Sequence, residues 1–339
     1  MSILQEHVRE FRDGRDVGDA AAEVFLDAMI SETNEDVLAE VLRAWDEKGI
    51  ADDEIYSIAR IMRERCTTVA TKHETFVDIV GTGGGRNKAF NISTAAAFVV
   101  AGAGVAVAKH GNKAATSNSG SADVLSSLGV ETAGDAEMAA RCLNEIGICF
   151  MFAPNFHRLS PTLAKVRRGL GFPTIFNCVG PLCNPANAPH RLIGVWKEEL
   201  VLKMARALSR LGTGKSWIVH GFDGVDEISL SGPTIVAEVD EGSVRRFEIS
   251  LQDFGFKGGI PSGPKAASAE QSANMIREIL RGQRRDTPPE WIVLSNAAAA
   301  MYIAGAAETL RDAYEKAIES IRSGSAEQKM LRLADLTKR

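Results

Sequence analysis

Through the first 70 residues the apolar positions fit helices only. Val37, Leu38, Val41, Leu42 and Trp45 form one stripe that stops at Gly49, and Ile55, Ile58, Ala59 and Met62 form another behind the capping candidates Asp52 and Asp53. A small helical bundle is the expectation. From Thr75 the pattern changes. Phe76 to Val80 reads as a short strand running into glycines, Ala95 to Ala103 as an apolar helix, Val105 to Ala108 as the next strand and Ala122 to Leu128 as the next helix. Strands and helices that alternate this way predict an α/β fold with a central, mostly parallel sheet. Further strands are expected at Leu192 to Val195 and Trp217 to His220. Thr234 to Val239 and Val244 to Ile249 flank Asp240-Glu241-Gly242 and predict a hairpin. Leu310, Ala313, Tyr314, Ala317, Ile318 and Ile321 make a helical stripe closed by Gly324.

Composition narrows the function classes. The 339 residues carry 39 Lys and Arg against 44 Asp and Glu, a net charge of −5, which weighs against a general binder of nucleic acid or anionic membrane. No run approaches the ~20 apolar residues of a membrane span, and Met1 to Arg15 lacks the apolar stretch of a secretion signal, so the expected location is the cytoplasm. Cys66, Cys142, Cys149, Cys178 and Cys183 show no metal-ligand spacing and read as reduced core thiols.

Candidate chemistry lies in four polar stretches. Gly81-Thr82-Gly83-Gly84-Gly85 follows a predicted strand and leads through Asn91-Ile92-Ser93-Thr94 into a helix. Two readings fit: a cradle in which backbone N–H groups and the helix start hold a phosphate, or a tight turn with an ordinary cap from Asn91, Ser93 or Thr94. Arg86 excludes a dinucleotide fingerprint, and Gly214-Lys215-Ser216 precedes a strand, with Ser209 where a P-loop needs glycine. The stretch from Lys109 to Ser121 offers a second anion cradle after the next strand, or a solvated Ser/Asn loop. In His220 to Glu227 the adjacent Asp226 and Glu227 suit a hard cation such as Mg²⁺ shared with substrate phosphates, or are simply solvated. Lys165-Val166-Arg167-Arg168 offers an arginine fork for an acidic substrate, or a solvated helix face. Phe176 to Pro185 has the punctuation of a structured loop or hinge, and the sequence gives it no role.

In combination these motifs resemble the anthranilate phosphoribosyltransferase family over nearly the whole chain. The resemblance rests on Val80 to Gly84, Phe90 to Thr94, Lys109 to Asn112, Ser119 to Leu125, Phe152 to Pro154, Asn177 to Pro185 and Asp223 to Glu227. It implies Mg²⁺-dependent transfer of the phosphoribosyl group of phosphoribosyl pyrophosphate to the amino group of anthranilate, in tryptophan biosynthesis. It also implies a helical domain of residues 1–70, rejoined by 163–185 and hinged to an α/β domain of 71–162 and 186–339, with a homodimer formed through the helical domains. By the same resemblance the donor would be bound by Gly81, Gly84, Gly85, Ala89, Asn91, Ile92, Ser93, Thr94, Lys109, His110, Gly111, Asn112, Ser117 and Ser121. The acceptor would meet Gly81, Asn112, His157 and Arg167, and the metal Ser93, Asp226 and Glu227. No residue is expected to act as general acid or base.

Several positions depart from the family pattern. Gly85 stands where aspartate is usual, Arg86 where glycine is common, and Ala89 where threonine is common. Lys113 replaces an arginine and Asn118 a lysine. Altered Mg²⁺ dependence or looser donor binding is the expected result. Arg158-Leu159-Ser160-Pro161-Thr162 replaces the family's run beside the acceptor entrance, which admits a different aromatic amine or a substituted benzoate as acceptor.

Overall fold

The computed structural model describes residues 2–83, 90–113, 119–256 and 268–338. Four helices come first: α1 (Ile3–Arg12), α2 (Asp19–Ser31), α3 (Glu35–Lys48) and α4 (Asp52–Glu64). Gly49 ends α3 at φ +89°, as its place behind the apolar stripe predicts. The expected cap of α4 is corrected. Ala51 is the N-cap residue, Asp52 and Asp53 lie in the first turn, and Glu54 reaches back 2.9 Å to the Ala51 N–H. That carboxylate, fully buried, also accepts from the Val17 N–H at 3.0 Å and the Lys48 ammonium at 2.8 Å, tying three helix ends together.

The α/β part then alternates β1 (Phe76–Gly81), α5 (Ile92–Gly102), β2 (Ala106–Gly111), α6 (Ser121–Ser127), α7 (Ala136–Ile146) and β3 (Ile148–Phe152). Three helices, α8 (Ala153–Phe156), α9 (Pro161–Gly169) and α10 (Ile175–Leu182), lead away from the sheet before β4 (His190–Gly194), α11 (Glu199–Leu211) and β5 (Ser216–Gly221). The hairpin of β6 (Thr234–Asp240) and β7 (Ser243–Ile249) is antiparallel, and α12 (Ala269–Leu280), α13 (Pro288–Ile303), α14 (Leu310–Arg322) and α15 (Ser325–Leu336) complete the order.

The strands form one seven-stranded sheet in the order β3-β2-β1-β4-β5-β6-β7, with the first five parallel. Period-two alternation divides its side chains between two cores. Leu192, Trp217, Val219 and Val236 face α5, α13, α14 and α15, while Ile193, Ile218 and Ala237 face α11 and the N-terminal helices. The second core also takes in Leu163, Val166, Ile175, Phe176 and Val179 of α9 and α10. The N-terminal helices and the 163–185 segment therefore share one apolar core with α11 and one sheet face. The chain places β2 on one side of β1 and β4 on the other, so the carboxyl ends of β1 and β4 flank a crevice where open α/β sheets bind ligands.

Candidate active site

Two glycines in register open the crevice. Gly81 at the end of β1 pairs with Gly194 at the end of β4. A Cβ on Gly194 would sit 1.7 Å from the Asp226 carbonyl oxygen, and one on Gly81 would sit 3.0 Å from Asp226 Oδ2. The missing side chains let the loop after β5 lie across both strand ends and carry Asp226 and Glu227 into a cleft of about 350 Å³. Behind the loop, Asn296 of α13 accepts the Ile228 N–H at 3.1 Å, fixing its far end.

One wall is built from β1, β2 and the start of α5. Asn91 occupies the N-cap position of α5, yet no side chain caps that helix; the Asn91 amide reaches instead toward the Ser119 hydroxyl at 3.3 Å. Asn91, Ile92 and Ser93, at the positive end of the helix, line the cleft, where an anion fits. Of the two readings of this stretch, the cap from Asn91, Ser93 or Thr94 is not the one realised. Lys109, buried, sends its ammonium to the Ile79 carbonyl at 2.6 Å and the Ser93 hydroxyl at 3.3 Å. Gly111 is required by packing, since a Cβ there would lie 2.1 Å from Ser121 Oγ.

The opposite wall comes from α9 and α10. Arg167 lines the cleft with its guanidinium 4.9 Å from the centre of the Phe176 ring. Its Nε has no hydrogen-bond partner, it forms no ion pair among the described residues, and burial lowers its pKa to about 10, which leaves it charged at neutral pH. A desolvated cation without a counter-ion suits an anionic ligand. Asn177 of α10 donates to the Thr82 carbonyl at 2.9 Å, joining this wall to the glycine loop. Behind them the His110 and His157 rings meet edge to face at 5.0 Å. Burial lowers His157 to about 4 and holds His110 well below the usual histidine range, so both rings are neutral.

The site is thus a glycine-pinched crevice at the switch point, with an uncapped helix start and a lysine, two carboxylates and an unpaired arginine lining it. The family model for the glycosyl transferase family a/b domain matches residues 73–327. Anthranilate phosphoribosyltransferase of Moorella thermoacetica is 41% identical over 329 residues, covering 97% of this chain and 96% of the relative. The chain belongs to the anthranilate phosphoribosyltransferase family. Among solved structures, the anthranilate phosphoribosyltransferase of Thermus thermophilus superposes with a TM-score of 0.86 at 35% identity, covering 98% of this chain and 99% of that one. The Saccharomyces cerevisiae enzyme in complex with PRPP and Mg superposes with a TM-score of 0.87 at 26% identity, covering 99% and 98%.

Of the residues that the family resemblance singles out, Gly81, Asn91, Ile92, Ser93, Lys109, His110, Gly111, Asn112, Ser121, Arg167, Asp226 and Glu227 line the one cleft. Thr94 and His157 do not. Thr94 is buried with its hydroxyl 3.5 Å from Asn91 Oδ1, and His157 stands behind His110. Gly84, Gly85, Ala89 and Ser117 lie outside the described residues, as do Arg86 and Asn118. The donor set suits Mg²⁺: two carboxylates and a hydroxyl, all oxygen, beside a phosphate cradle, which is how this cation is held when substrate and water supply its other ligands. Among the described residues no group of three acidic, His or Cys side chains could cage a metal alone. Sequence reading missed Gly194, which looks like any strand-end glycine, and the buried Asp78 and Asn184. Asp78 sits in an apolar run, and its pKa is raised by burial against the pull of Lys109.

Proposed function

We propose that the protein transfers the phosphoribosyl group of phosphoribosyl pyrophosphate to the amino group of anthranilate, releasing pyrophosphate, as a step of tryptophan biosynthesis. The observation that carries this reading is that Arg167, Asp226 and Glu227 line one cleft together with Gly81, Ser93 and Lys109. Lys109, Ser93 and the first turn of α5 hold the phosphates of the donor. Arg167 pairs with the acceptor carboxylate while the Phe176 ring keeps its fork in place. Bound Mg²⁺, held by Asp226, Glu227 and Ser93, would neutralise the pyrophosphate.

Departure of pyrophosphate leaves positive charge on the anomeric carbon and negative charge on the leaving group. Lys109 and the backbone donors stabilise that negative charge without rearranging. The aniline nitrogen is nearly neutral at pH 7 and needs placement, which the two walls supply. No general base is required. The neutral His110 lines the cleft with the neutral His157 behind it, and neither takes a proton in the transfer.

The reading extends to the assembly. The helices of 1–70 with 163–185 close against the α/β part on the acceptor side and exclude water from the donor. The molecule is a homodimer through its helical layer, where Ile3 and Val24 are exposed, and works in the cytoplasm. Calorimetric titration of phosphoribosyl pyrophosphate with Mg²⁺ tests the donor half. Asp226→Asn with Glu227→Gln should weaken binding about 100-fold or more, the loss expected for two charged groups worth ~1.5–3 kcal/mol each. Unchanged binding in that variant would contradict the assignment.

A further inference from the structure

The β1–β2 ladder is shorter than its strands. Phe76 pairs with Ala106 and Val77 with Val107, but both strands run on, to Gly81 and Gly111, without further ladder pairing to each other. Beyond Val77 three side chains replace the ladder. Asp78 Oδ1 accepts the His110 N–H at 3.1 Å. Asn184 Nδ2 donates at 2.8 Å to Asp78 Oδ2 and at 2.8 Å to the Ala108 carbonyl. Lys109 Nζ donates to the Ile79 carbonyl at 2.6 Å. The orientation of Asn184 is fixed, because its Oδ1 accepts the Ala186 N–H at 2.9 Å. Asp78 is fully buried, Asn184 is 4% exposed, and neither lines the cleft.

Burying a carboxylate and an amide is costly where an ordinary parallel ladder would satisfy the same backbone groups. The arrangement gains something a ladder cannot give: side-chain bonds fix the backbone on both sides of Lys109, whose ammonium reaches the Ser93 hydroxyl. We propose that Asp78 and Asn184 are positioning residues, a buried clamp that fixes the backbone of β2 at Ala108 and His110, on either side of Lys109, so that Lys109 meets the leaving group of the donor. The clamp also gives the Phe176 to Pro185 stretch a role, since Asn177 bonds the loop after β1 and Asn184 bonds both β1 and β2. The inference rests on the donor assignment above and adds to it which residues set the lysine.

The test uses the full chain as Asp78→Asn, Asn184→Asp and the double exchange. Donor KM, anthranilate KM and kcat are measured beside calorimetric binding of Mg²⁺-pyrophosphate, with near-ultraviolet circular dichroism reporting the folded fraction. Each single exchange sets like groups against each other, donor against donor or acceptor against acceptor. Pyrophosphate binding and donor KM should worsen about 10-fold, the effect of one unsatisfied buried group, with anthranilate KM within about twofold of native. The double exchange restores an amide-to-carboxylate bond while leaving the Ala108 carbonyl without a donor, so it should regain part of the loss. Asn184→Ser, which is neutral and too short to reach Asp78, serves if the single exchanges do not fold, with the same expectation. The proposal is overturned if folded variants match native in donor KM and pyrophosphate binding, if both substrates suffer alike in proportion to the folded fraction, or if the double exchange recovers nothing. A native protein that binds pyrophosphate but consumes no anthranilate would sink the transfer reading instead, and the clamp would then stand or fall on the binding titration alone.

Discussion

Gly194 and Arg167 carry the sharpest demands of single residues on this site. A methyl at Gly194 meets backbone, not a flexible side-chain end, so the Asp226 loop must move or the strand must. Gly194→Ala should therefore cost about 1–3 kcal/mol in urea unfolding and most of the activity, while Gly169→Ala, with nothing near its Cβ, should stay within about 0.5 kcal/mol. Arg167→Ala removes the only partner proposed for the acceptor carboxylate. Anthranilate KM should rise about 10- to 100-fold, matching ~1.5–3 kcal/mol for a charge-assisted contact, and Arg167→Lys should recover only part of it because the planar fork is lost. The residues that motif reading could name are those whose chemistry is visible in type and spacing: Lys109, Asn112, Arg167, Asp226 and Glu227. Gly194 and Asp78 were illegible for a physical reason. Each matters through a contact with a distant segment, and local sequence carries no mark of that partner.

Elements follow the pattern where one face is wet and the other dry. The stripes of α3, α4 and α14 and the alternation of β6 and β7 are read directly, and the turn between those strands places Glu241 at φ +46° and Gly242 at φ +82°. Both central residues thus lie in the left-handed region, which suits Asn-Gly better than Glu-Gly. Glu241→Asn should stabilise the protein by about 0.5–1 kcal/mol in urea unfolding, and Gly242→Val should destabilise it by at least as much. Strand β3, Ile148–Phe152, escaped notice because five apolar residues in a row have no period to read. The cap of α4 was misread because its first-turn acids mimic capping residues, whereas the bond comes from Glu54. Helix α5 begins three residues before its apolar run, at Ile92, since its first turn faces the cleft and carries the polar Ser93 and Thr94.

At the scale of the molecule, two cores clasp one sheet, and the cleft opens where the strand order reverses. The fold class was legible because βα alternation forces a parallel sheet with both faces covered. The sharing of the second core between the N-terminal helices, α9, α10 and α11 was not, because it joins residues more than a hundred positions apart. Beside the cleft, two buried histidines form a pH-sensitive pair. An unfolded histidine titrates near 6.5, whereas His157 in the fold titrates at about 4 and His110 lies well below its ordinary value. The unfolded chain therefore binds more protons than the native one as pH falls from about 6.5 toward 4, so stability is full above that window and is lost on acidification through it. His157→Gln should flatten the stability-against-pH slope there by up to about 1.4 kcal/mol per pH unit, one proton's worth, in urea unfolding at stepped pH. An unchanged slope would mean that the buried ring is not what the protons reach.

The most direct test of the account is the fluorescence of anthranilate on mixing with the protein, phosphoribosyl pyrophosphate and Mg²⁺. The account predicts a decay that requires all three, slows sharply in Arg167→Ala and yields stoichiometric pyrophosphate. Steady anthranilate fluorescence in the presence of a protein that binds the donor would contradict it.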